Sequence, residues 1–84
     1  MHEGAVCSEI IDIVTAAARQ HQLEQVFEIT LTVGPYSCIN QSQLNFYFDV
    51  IRKGTCMEEA VITVERDEDL SGPSQMYIKI FRGE

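Results

Sequence analysis

Apolar residues recur at helical spacing from residue 4 to residue 21. Val6, Ile10, Ile13, Val14 and Ala17 form one stripe, widened by Cys7 and Ile11, while Glu9, Asp12, Arg19 and Gln20 supply much of the wet face. Early acids and a late arginine suit the helix dipole. Residues 25–33 change period: Phe27, Ile29, Leu31 and Val33 alternate with Val26, Glu28, Thr30 and Thr32, which predicts a strand with one buried face, ended by Gly34-Pro35. Asn40 followed three places on by Gln43 reads as an N-cap and capping box. The helix it opens, about 41–52, buries Leu44, Phe48 and Ile51. Phe46 and Val50 make a second apolar stripe and predict burial on more than one side. Arg52-Lys53-Gly54 closes it with basic residues and a glycine stop. Residues 60–66 predict a second strand and 75–82 a third, the latter with Met76, Ile78 and Ile80 against Tyr77, Lys79 and Phe81. The acidic, turn-rich segment Asp67–Ser74 between them reads as a hairpin loop.

The order α-β-α-β-β predicts an α+β fold, a two-layer sandwich in which two amphipathic helices cover one face of a three-stranded mixed sheet. The strand-helix-strand unit makes the first two strands parallel if adjacent, with a right-handed crossover. The other face would be open and carry Glu28, Thr30, Thr32, Thr63 and Glu65 with Val61, Tyr77 and Phe81. That face, or the first helix, is the expected place for a homodimer contact or a docking partner.

The 84 residues suffice for one domain, residues 1–84, with a small core. Thirteen acidic against six basic residues give a net charge of −7, which argues against nucleic acid and against an anionic membrane surface. There is no run of 18 apolar residues and no secretory signal at the start, so a cytoplasmic setting is expected. Cys7, Cys38 and Cys56 are then reduced thiols, and three scattered cysteines without a CxxC pair do not build a zinc site. His21 in a last helical turn reads as a partner for terminal carbonyls. With no nucleophile-base set and no phosphate loop, an enzyme is not expected.

The chemistry with most content is at the start, Met1-His2-Glu3. A free α-amine, the His2 amide nitrogen and the His2 imidazole can close fused rings around one ion. The fourth donor is the Glu3 amide nitrogen or a group from elsewhere. Four nitrogens in a plane suit Ni(II) or Cu(II) better than Zn(II). The competing reading is a frayed polar terminus.

Several features recur together in order: Met1-His2-Glu3, the amphipathic helix, the strand closing on Gly34, the run Leu44-Asn45-Phe46-Tyr47-Phe48-Asp49-Val50, then Gly54-Thr55, then Glu58 and Ala60 before a strand ending in Glu65. The combination resembles the HypA family of nickel metallochaperones, which help load nickel into NiFe hydrogenases and, in some bacteria, urease. The resemblance implies nickel as cargo, His2 as the essential ligand, and the terminal amine of Met1 and backbone nitrogens near Glu3 as the rest of the set. It implies maturation proteins of nickel enzymes as partners. Family members carry a zinc domain with two CxxC pairs between the second and third strands. Here Asp67–Ser74 stands in that place and the chain has no CxxC, so no structural zinc is expected. The alternative is a protein-interaction module of HypA descent that has lost metal delivery.

Overall fold

A computed structural model describes residues 3–72 and 75–84. The elements run α1 (Glu3–Gln20), β1 (Val26–Val33), α2 (Gln41–Ile51), β2 (Val61–Arg66) and β3 (Met76–Gly83). The sheet order is β2-β1-β3, with β2 parallel and β3 antiparallel to β1. Val6, Cys7, Ile10 and Val14 of α1 and Leu44 and Phe48 of α2 close over Ile29, Leu31, Val33 and Ile62 of the sheet in one buried cluster. This is the expected α+β sandwich, and its polarity follows from the two periodicities: a 3.6-residue stripe on each helix meets the period-2 face of β1.

The β2–β3 connection is not a hairpin loop. β1 lies between the two strands, so the segment after Asp67 crosses the end of the central strand. Asp67 N–H donates to Val33 O at 2.8 Å, and the crossing chain presses on Gly34, where a Cβ would run into the Leu70 carbonyl oxygen and sit 3.2 Å from Leu70 Cβ. Glycine is needed there for close approach, not for backbone freedom. Of the expected loop, Pro73 and Ser74 lie outside the described residues. The outer edge of β2 is occupied by side chains of α2. Asn45 Nδ2 donates to Ile62 O at 3.1 Å while Asn45 Oδ1 accepts from Ile62 N at 3.4 Å. Gln41 Oε1 accepts from Val64 N at 2.9 Å, and Arg52 Nη1 donates to Ala60 O at 2.9 Å. α2 therefore stands in for a fourth strand, which accounts for a polar Asn45 inside an otherwise apolar run.

Two β-bulges change which side chains face inward. The β1–β3 register shifts between Val26 and Glu28 and again between Thr30 and Leu31, leaving Phe27 extra on β1 and Lys79 extra on β3. The first bulge turns Val26 into the core and leaves Phe27 half-buried, reversing the expected alternation at the start of β1. The second brings Phe81 against the core with Met76 and Ile78, so Phe81 is not on the open face. The side chain of Ile80, expected beside Met76 and Ile78, lies outside the described residues. On α2, Leu44 and Phe48 are buried, but Phe46 and Val50 are 66% and 62% exposed and Ile51 is 40% exposed; within this chain the helix has one buried side.

α1 ends in a Schellman-type turn: Leu23 N–H donates to Ala18 O at 2.8 Å, and Gln22 takes φ 60°. A left-handed backbone favours glycine over glutamine. Gln22→Gly is expected to raise stability by about 0.5–1 kcal/mol, read as a higher urea midpoint with unchanged slope.

Candidate metal centre

Glu3 is the first residue of α1. Its Oε2 accepts a long hydrogen bond, 3.4 Å, from the backbone N–H of Asn40, 37 residues away. Asn40 is the N-cap of α2: its backbone is extended, and its Oδ1 accepts from Gln43 N at 3.1 Å. The expected capping box is thus split. Asn40 caps the helix through Gln43 N–H, but the carboxylate facing the Asn40 N–H comes from Glu3. Met1 and His2 lie outside the described residues. Of the three expected ligand residues, the structure places Glu3, at a corner where the first turns of both helices meet.

The Asn40 loop is held from behind by Arg66. One of its guanidinium nitrogens donates to Gly34 O and Ser37 O at 3.0 and 3.1 Å, the other to Ile39 O at 3.2 Å. These three carbonyls flank Asn40 on its N-terminal side, so an arginine at the end of β2 sets the position of the α2 cap. Nothing in local spacing links Asn40 to Glu3, or Arg66 to the loop before Asn40; only the folded topology does.

The electrostatics constrain any metal chemistry here. Two helix N-termini carry partial positive charge, which repels a bare cation. A metal is held only by donors that bring negative charge or displace protons, such as deprotonated amide nitrogen or the Glu3 carboxylate. Sulfur does not contribute from below. Cys7 is buried, its Sγ–H donates to Leu44 O at 3.2 Å, and burial, with the Glu3 charge adding, pushes its thiol up to about 11. Cys38 is exposed and Cys56 half-buried. His21 lies just past the far end of α1, an 18-residue helix about 27 Å long, and is not brought to Glu3. Among the described residues, no group of three or more His, Cys, Asp or Glu could hold a metal ion. Also among them, no helix is long and apolar enough to cross a membrane.

The HypA family model, described as hydrogenase/urease nickel incorporation, metallochaperone, matches residues 1–70. The chain belongs to this family. The hydrogenase maturation factor HypA of Actinobacillus succinogenes is 40% identical over 62 residues, covering 74% of this chain and 55% of the relative. HypA of Prosthecochloris aestuarii is 38% identical over 72 residues, covering 83% and 64%. The chain thus spans little more than half to under two thirds of these relatives' length. The solution structure of the Ni metallochaperone HypA from Helicobacter pylori superimposes with a TM-score of 0.80 at 15% identity, covering 99% of this chain and 97% of that one, a likeness of fold.

Proposed function

We propose that this chain binds nickel as cargo at its amino terminus and passes it to a nickel enzyme under maturation, a hydrogenase or a urease. The ligands in this reading are the Met1 amine, the amide and imidazole nitrogens of His2, and the amide nitrogen of Glu3. The observation that carries the reading beyond family membership is the Glu3–Asn40 contact, which anchors the residue next to His2 to a second helix. An anchored chelate loses less conformational freedom on closing around an ion than one on a free chain end. It can also be given up donor by donor to a competing ligand set, which suits transfer better than a closed cage.

The reading involves no catalysis, and its partners are maturation proteins of the same enzymes. It treats the 84 residues as one nickel-binding domain without structural zinc, since β2 and β3 are joined through a short crossing segment and the chain has no CxxC pair.

Nickel titration by calorimetry and visible absorbance tests it. The expected result is one nickel per chain with the yellow absorbance of a planar nitrogen set, released as pH falls toward about 5, because amine and imidazole must be deprotonated to bind. Absence of nickel binding near neutral pH contradicts the proposal and leaves an interaction module as the better reading.

A further inference from the structure

The two edges of the sheet are treated differently. The outer edge of β2 is filled by Gln41 and Asn45 of α2, and the C-cap Arg52 bonds Ala60 just before the strand. β3 pairs only with β1, and among the described residues no side chain bonds to its outer backbone groups. Beside that edge runs a groove of about 790 Å³ between the C-terminal half of α1 and β3, walled by Ile13, Val14, Leu23, Ile78 and Phe81. Ile13, on the core stripe of the sequence pattern, is 56% exposed into solvent there. The groove lies at the end of α1 remote from Glu3.

Charge decides what fits. Met76–Gly83 contains Lys79 and Arg82 and no acid, in a chain of net charge −7. Both cations are exposed on the outer sheet face, within 3.2 Å of Glu65 and 3.7 Å of Glu28 respectively. A second copy adding antiparallel about a twofold at Lys79 or at Arg82 would set that cation against its own counterpart, and like charges facing across strands destabilise pairing in those registers. The lysine bulge adds to that barrier, since bulges and edge lysines are common devices against self-pairing.

We propose that the β3 edge is a docking site for an extended segment of a partner protein that alternates apolar and acidic residues. The segment adds as a fourth strand. Its backbone pairs with β3, its apolar side chains enter the groove at Ile13, Leu23 and Phe81, and its carboxylates lie along Lys79 and Arg82. Main-chain bonds supply the attachment and the alternating pattern supplies the choice of partner. This site is independent of the nickel reading.

A capped peptide of about ten residues, the length of a long strand, alternating valine or threonine with glutamate, is the probe. On addition to the full chain, hydrogen exchange of β3 amides is expected to slow. Anisotropy of the labelled peptide should show binding at least about tenfold weaker to the Lys79→Glu/Arg82→Glu double variant. Methylation of alternate peptide nitrogens should abolish binding, and Ile13→Ser, at an exposed position, should weaken it. Equal binding of a peptide with lysine in place of glutamate, or β3 exchange that the peptide leaves unchanged, overturns the proposal. So does slowing of β3 exchange with protein concentration alone, which makes the occupant a second copy.

Discussion

Phe48→Ala is expected to destabilise the domain by about 3–5 kcal/mol, the range for removing a fully buried phenylalanine. Phe48 is 0% exposed and joins α2 to the cluster beneath α1. Small domains have total stabilities of about 5–15 kcal/mol, so the variant is expected to be partly unfolded at growth temperature. The informative control is two residues away. Phe46→Ala removes the same atoms from a side chain 66% exposed, and its expected effect is within about 0.5 kcal/mol. Urea unfolding of both variants checks the pair. If Phe46→Ala costs as much as Phe48→Ala, the second stripe of α2 is covered in solution, and the single chain is not the folding unit.

The second large effect concerns the metal. His2→Ala is expected to weaken nickel binding at least about 100-fold, the loss of one imidazole ligand from a set with few alternatives. Urea unfolding of the metal-free variant separates loss of a ligand from loss of the fold. Glu3→Gln separates the two roles proposed for the neighbouring residue: it keeps the backbone nitrogen and removes the charge that faces Asn40 N–H. Nickel affinity should fall by less than in His2→Ala. A result in which His2→Ala binds nickel as the parent does removes the imidazole from the site.

Much of the fold is legible along the chain because α1 and the C-terminal part of β1 obey simple periods. Val6, Ile10 and Val14 are spaced for a helix and Ile29, Leu31 and Val33 for a strand, and all six are buried. What the pattern could not carry is non-local. The hairpin expectation came from the turn-rich composition of the segment from Asp67, whereas strand order depends on pairing across the whole sheet: β1 sits between β2 and β3, and Gln41 and Asn45 occupy the other edge of β2. The bulges at Phe27 and Lys79 leave no mark on alternation until the strands are paired. Phe46 and Val50 read as core because apolarity alone does not distinguish a buried stripe from an exposed one.

The candidate site divides the same way. Met1-His2-Glu3 is visible as a chelating tripeptide, and the family match covers it. Asn40 and Arg66 are not visible, because the capping signal at Asn40 points forward to Gln43 while the contact that matters runs back 37 residues to Glu3.

The most direct test of the nickel account compares the chain with an authentic Met1 terminus against the same chain carrying one additional residue before Met1. The extension leaves every side chain in place and moves only the α-amine. Tight one-to-one nickel binding by the native terminus, lost on extension, is the predicted result. Equal binding by both proteins would remove the amino terminus from the site and contradict the account.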